Sequence, residues 1–134
     1  MLKVLVADDS KFMQATYKKI LESEKNLQVV ATVSDGQEAV CQAKASRPHV
    51  VILDIRMPNL GGLEAARQIS AVQPSIGIVI VSACEDSQSL VDLLNIDARG
   101  KAYIRKTSLD DIDVLIRAVE GVARGETIVH LDFS

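Results

Sequence analysis

Three carboxylates, a hydroxyl and an ammonium each stand at the end of a short apolar run: Asp8 and Asp9, Asp54, Ser82 and Lys106. Carboxylates brought together repel one another and favour protonation unless a cation offsets their charge. An oxygen-only ligand set suits a hard ion such as Mg2+, which takes one or two carboxylates plus waters and phosphate oxygens. A lysine cannot chelate that ion, but it can pair with a carboxylate or a phosphoryl oxygen. A carboxylate nucleophile, a divalent cation, an ammonium and a hydroxyl donor are the parts that phosphoryl transfer requires. Each residue also has a plainer use. Asp8 or Asp9 can cap a helix, Ser82 can close a turn, and Lys106 can be a solvated surface lysine. Asp54 directly follows four apolar residues and would need a salt bridge, most obviously to Lys106.

The elements that must position these residues alternate in kind. Strand-like runs cover residues 2–7, 28–33, 49–53, 76–81 and 102–104, and each is followed by a segment of helical period. In 10–23, Met13, Tyr17, Ile20 and Leu21 make one stripe. Residues 35–46 carry Ala39, Val40 and Ala43, with Cys41 read as core on the same stripe. Residues 61–72 carry Leu63, Ala66, Ile69 and Val72; residues 87–96 carry Leu90, Val91, Leu93 and Leu94. Residues 108–124 carry Leu109, Ile112, Leu115, Ile116, Val119 and Val122, with Glu120 and Arg124 as an i,i+4 pair. Pro48, Pro58 and Pro74 punctuate these boundaries, Gly61-Gly62 marks a loop, and Ser34 or Asp35, Ser87 and Ser108 are candidate N-caps.

Five β–α units in succession predict an α/β fold: a doubly wound, five-stranded parallel sheet with helices on both faces. Val50-Val51-Ile52-Leu53 and Ile78-Val79-Ile80-Val81 do not alternate with polar residues, as expected of central strands buried on both sides. Ligands of such folds bind at the carboxyl ends of the strands. That rule gathers Asp8, Asp9, Asp54, Ser82 and Lys106 at one edge.

Composition narrows the function. The 134 residues, 48% apolar and 25% charged, fit one domain with a real core. Fifteen basic against 18 acidic residues, a net charge of −3, do not make a phosphate-gripping surface. Two cysteines, Cys41 and Cys84, cannot build a disulfide framework. The longest apolar runs are far below the roughly 20 residues of a membrane helix. A cytoplasmic protein without membrane contact is expected.

Four segments in order, Val4 to Asp9, Val51 to Pro58 with Gly61-Gly62, Ile80 to Ala83, and Ala102 to Lys106, resemble the receiver domain of bacterial two-component response regulators. The resemblance covers residues 2 to about 128 and implies the flavodoxin-like strand order 2-1-3-4-5. It implies that Asp54 accepts a phosphoryl group from the phosphohistidine of a sensor histidine kinase. It makes Asp9 a direct Mg2+ ligand, Asp8 a ligand through water, and the backbone carbonyl of Arg56 a further ligand. Ser82 becomes the switch hydroxyl, Lys106 the partner of a phosphoryl oxygen, and Tyr103 the aromatic that follows the switch. The surface of the fourth helix, fifth strand and fifth helix then changes, and a homodimer on phosphorylation is expected.

The segments from Lys106 to Asp111 and from Ala118 to Thr127 are similar to the NarL/LuxR-type subfamily, whose members bind DNA through a C-terminal domain absent from this chain. Residues 1–126 are then the receiver and 127–134 the start of a linker or tail. A stand-alone receiver acting by protein contact is the alternative output. A haloacid-dehalogenase-like phosphatase would want a second acid two residues after the nucleophile, where Arg56 stands. A nucleotide-binding fold would want a glycine-rich turn where Asp8-Asp9-Ser10 stands. Two features depart from the receiver pattern: Thr107 follows the lysine in place of proline, and Asp97-Ala98-Arg99-Gly100-Lys101 shifts the glycine ahead of the fifth strand.

Overall fold

In a computed structural model, the structure describes residues 1–83, 87–97, 99–105 and 112–130. Its elements are β1 (Leu2–Ala7), α1 (Lys11–Glu22), β2 (Leu27–Val33), α2 (Gly36–Ser46), β3 (Val50–Asp54), α3 (Gly62–Val72), β4 (Gly77–Ser82), α4 (Ser87–Ile96), β5 (Lys101–Arg105), α5 (Ile112–Ala123) and β6 (Thr127–His130). The strands form one parallel sheet in the order β2-β1-β3-β4-β5-β6. The α/β class and the order of the first five strands are as expected. The strand count is corrected from five to six.

The sixth strand lies where a linker or tail was expected. Gly125, at φ 87°, turns the chain out of α5. Thr127–His130 then pairs with β5, placing Val129 opposite Tyr103. A glycine inside a helix usually weakens it. Here Gly121 makes room for a neighbour, because a Cβ at this position would overlap the Ile128 side chain. A four-residue strand has too short a period to be read from sequence alone, and the helical glycine that accommodates it carries no direction.

Alternation along the strands sorts the core into two layers. Leu5, Ala7, Val51, Leu53, Ile78, Ile80 and Tyr103 face one way, under α2, α3 and α4. Val4, Val6, Val50, Ile52, Val79, Val81, Ala102 and Ile104 face the other way, under α1 and α5, with Tyr17 and Leu21. β3 and β4 are buried throughout, as their unbroken apolar runs require.

Several helix-stripe expectations need correction. Cys41 is exposed, since one residue past Val40 turns about 100° away from the buried side. Val72, at the end of α3, is 56% exposed, and Val91 and Ile112 are also exposed. Arg124 pairs with Glu126 at 2.8 Å, while Glu120 accepts from Asn26 Nδ2 at 3.0 Å. Asp35 is the cap of α2, with its carboxylate accepting from Glu38 N. Ser108 and Leu109 lie outside the described residues, as does the side chain of Ser87.

Lys101 is a core residue that no apolar pattern in the sequence marks. It is fully buried on the Tyr103 face of β5, and its Nζ donates to Arg99 O at 3.3 Å. Burial pushes its ammonium below the usual lysine range, and the nearby Asp97 only partly offsets this. The native protein therefore releases this proton at lower pH than the unfolded chain, whose lysines titrate at about 10.4. Between the two pKa values the unfolded state binds more protons, so this residue makes stability rise with pH. Lys101→Met should raise stability at pH 7 by about 1–3 kcal/mol and remove that alkaline slope. Urea unfolding of both proteins from pH 7 to pH 10.5 checks it, and a destabilised variant with an unchanged slope would refute it.

Candidate functional site

β1 and β3 are neighbours, with Ala7 opposite Leu53, so their next residues, Asp8 and Asp54, project at the same edge. Both continue the face on which Tyr17 lies. Asp8 is fully buried, Asp54 nearly so, and Asp9 is exposed. One carboxylate oxygen from each of the three lies within 4.8 Å of the others. Oxygens bound to one Mg2+ at about 2.1 Å stand roughly 3 to 4 Å apart, so the cluster fits that ion with slight closure or an intervening water. Such a donor set is hard and oxygen-only, and it leaves room for phosphate oxygens.

Local backbone chemistry aims the cluster. Asp8 Oδ1 accepts from Ser10 N at 2.9 Å, and Ser10, rather than either aspartate, caps α1 by accepting from Met13 N at 3.2 Å. That frees Asp8 and Asp9 from the capping role open to them in the sequence. Asp54 Oδ1 accepts from Arg56 N at 3.3 Å, and Ile55 N donates to Val81 O at 3.0 Å. Arg56 itself is exposed. Past Pro58, Asn59 takes φ 66° and donates to Asp35 Oδ2 at 2.8 Å, fastening the β3–α3 loop to the cap of α2. That hydrogen bond and the one from Glu38 N hold the Asp35 carboxyl below the usual range, the Glu38 bond contributing more.

Ser82 is the last residue of β4, buried, one step beyond the Asp54–Val81 register pair. It continues the opposite face from Asp54, the one shared by Ile80 and Tyr103. Tyr103 is buried beneath α4, and its hydroxyl has no hydrogen-bond partner among the described residues. The structure thus brings Asp8, Asp9 and Asp54 together, sets Ser82 beside them, and places Tyr103 in the next strand. Lys106 lies outside the described residues, as do Thr107 and Cys84.

Two residues near the acids were missed as site residues. The apolar stripe marks Tyr17 only as core; its buried hydroxyl has no partner among the described residues, and burial, then the charges of Asp8 and Asp54, push its phenol far above the ordinary value. Gln14 shares one helical stripe with residues 17 and 21, and a polar residue on a buried stripe is the signal that finds it.

A family model described as "Response regulator receiver domain" matches residues 4–120. The chain belongs to that family. This receiver is similar to curated proteins of different outputs. It is 37% identical over 131 residues to the oxygen regulatory protein NreC of Staphylococcus epidermidis, covering 97% of this chain and 58% of that protein. Response regulator GacA of Pseudomonas protegens is 32% identical, covering 96% and 59%. A protein-glutamate methylesterase/protein-glutamine glutaminase of Geobacter metallireducens is 38% identical, covering 90% of this chain but 35% of that protein. The receiver thus spans between about a third and three fifths of the curated relatives named. Among solved structures, the signal receiver domain of a NarL regulator from Mycobacterium tuberculosis superposes with a TM-score of 0.85 at 25% identity, covering 93% of this chain and 98% of that one. Receivers are phosphoacceptor switches phosphorylated by sensor histidine kinases, and they bind Mg2+ at an acidic cluster of the kind formed by Asp8, Asp9 and Asp54. No helix among the described residues is long and apolar enough to cross a membrane.

Proposed function

We propose that Asp54 is the phosphoacceptor of this receiver, that Asp8, Asp9 and the Arg56 carbonyl hold Mg2+ beside it, and that Ser82, Lys106 and Tyr103 convert the modification into a change of surface. The observation that carries this reading is the convergence of the three carboxylates at the carboxyl edge of the sheet, with Ser82 at the end of the adjoining strand. When bound, the metal neutralises charge on the incoming phosphoryl group and on the acids. An Asp54 oxygen forms the new P–O bond as the P–N bond of a phosphohistidine breaks, and the electron pair leaves with the imidazole. Asp54 N-terminal to an ordered loop is held by the Arg56 amide, so the attacking carboxylate is oriented before the donor arrives.

Phosphorylation adds about −1.5 to −2 charge and three acceptor oxygens. Ser82 and Lys106 are the donors drawn to them. Ser82 and Tyr103 share the α4 face, so an inward shift of the serine opens space on the side where Tyr103 packs. A Tyr103 hydroxyl without a partner among the described residues favours a rotamer in which it reaches a hydrogen-bonding group or water. Output through transcription is supported by the regulators among the relatives, and would use chain beyond this receiver; a cytoplasmic location, and a linker that starts after β6 rather than at 127, belong to the same reading.

Incubation with Mg2+ and acetyl phosphate should add one phosphate mass to the intact chain and none to Asp54→Asn. Light scattering on the same samples should show the mass doubling as the receiver dimerises. An unlabelled wild type, or label undiminished in Asp54→Asn, would sink the phosphoacceptor assignment, and an unchanged monomer would reject the dimer.

A further inference from the structure

Gln14 is a buried amide on α1 with an unusual set of partners. Its Nε2 lies 2.7 Å from Asp8 O, 3.1 Å from Val33 O and 3.1 Å from Ser34 Oγ. Two of these partners are carbonyls, which only accept, so the nitrogen and not the oxygen of the amide must face them. Asp8 N also donates to Val33 O, at 3.1 Å. Asp8 is therefore tied to the end of β2 on both sides, directly through its N–H and through Gln14 at its carbonyl.

That second tie acts on the acidic cluster. The Asp8 carbonyl belongs to the peptide plane that joins Asp8 to Asp9. Fixing this plane fixes where the Asp9 Cα stands and leaves only the torsions of Asp9 itself to aim its side chain. Three carboxylate oxygens within 4.8 Å repel one another in the absence of a cation and would spread apart on a loose loop. A clamp on the backbone keeps them converged, so less of the binding energy of an ion goes into ordering them.

We infer that Gln14 is a positioning residue for the metal site, setting the affinity for Mg2+ and the preference for Mg2+ over Ca2+ by clamping the Asp8–Asp9 peptide to β2. The inference rests on the reading that Asp8, Asp9 and Asp54 hold the ion. The two ions differ in what they demand: Mg2+ needs near-ideal octahedral geometry with short bonds, whereas Ca2+ accepts longer and more variable ones. A loosened loop therefore costs Mg2+ more than Ca2+. A residue that served only the fold would lower both affinities alike.

Calorimetric titration with MgCl2 and with CaCl2 tests this on the full chain. Gln14→Met keeps the length of the side chain and removes its donors; it should weaken Mg2+ binding on the order of tenfold. Ca2+ binding should fall by less than about threefold, because its shell adapts. Val122→Ala, a core cavity at the opposite end of the sheet, gives the control for destabilisation alone and should leave the ratio of the two affinities unchanged. Should Gln14→Met fail to fold, Gln14→Asn, whose amide is one methylene too short to reach the same carbonyls, should shift the ratio the same way. Unchanged Mg2+ affinity in the folded Gln14 variant, or equal losses for both ions, overturns the inference and leaves the metal site standing. No Mg2+ binding by the wild type overturns the metal assignment and the inference with it.

Discussion

Gly62→Ala should destabilise this receiver by at least about 3 kcal/mol, the upper range of overpacking costs, and should disturb Asp54 in the process. α3 begins against the backbone of Asp54. Gly62 N donates to Ile55 O at 2.9 Å. A Cβ here would overlap the Asp54 carbonyl oxygen and come within 2.9 Å of its carbon and 3.0 Å of Ile55 Cα. These are backbone atoms of a buried strand end, so no side chain can swing aside to relieve the contact. Either α3 moves off the sheet or β3 shifts and takes Asp54 with it. For a domain of this size the loss corresponds to a fall in melting temperature of roughly 10 °C or more. The neighbouring glycine is the control. A Cβ on Gly61 meets only Ile55 O at an ordinary 3.4 Å, and Gly61 is the N-cap of α3 with no side-chain cap bond. Gly61→Ser should leave the melting temperature unchanged or raise it slightly, since a serine N-cap is worth only a few tenths of a kcal/mol over glycine. Thermal melts of the two variants decide it. Equal melting temperatures would show that the close approach of α3 to Asp54 does not constrain the fold.

Asp9→Asn should reduce Mg2+ affinity by on the order of 100-fold or more, since even supporting residues around metal ligands cost 10- to 100-fold. The fold should not suffer. Asp9 is exposed, so its carboxylate holds no part of the core. Its charge sits within 4.8 Å of two others, and removing it relieves repulsion. In metal-free buffer of low ionic strength the variant should melt at the wild-type temperature or slightly above it. Any gain should shrink at 1 M salt, where the screening length is about 3 Å. Saturating Mg2+ should then raise the wild-type melting temperature by mass action and leave the variant where it was. Equal Mg2+ stabilisation of both proteins would remove Asp9 from the ligand set.

Much of this receiver was legible in its residues because hydrophobic period and strand-end placement are local properties. The expected strand at 2–7 coincides with β1, and those at 28–33, 49–53 and 76–81 fall within one residue of β2, β3 and β4. The unbroken apolar runs of β3 and β4 marked the centre of the sheet. From that inference the convergence of Asp8, Asp9 and Asp54 followed, because parallel strands put their carboxyl ends on one edge.

What the residues left undetermined depends on neighbours distant in sequence. Gly61 and Gly62 are the same residue side by side; only the packing of α3 on Asp54 makes one replaceable and the other not. Gln14 looks like a polar interruption of a helix until the ends of β1 and β2 bring the Asp8 and Val33 carbonyls to it. Lys101 carries no sign of burial in the sequence until β4 and β6 flank it in the sheet. Thr127–His130 reads as a tail until Gly121 and β5 provide a place to dock. By itself the sequence determined the order of the elements and the side chains delivered to the site, since both follow from local pattern and strand direction. Only the tertiary structure decided which groups are clamped, buried or crowded, because those properties belong to contacts between segments and not to any one of them.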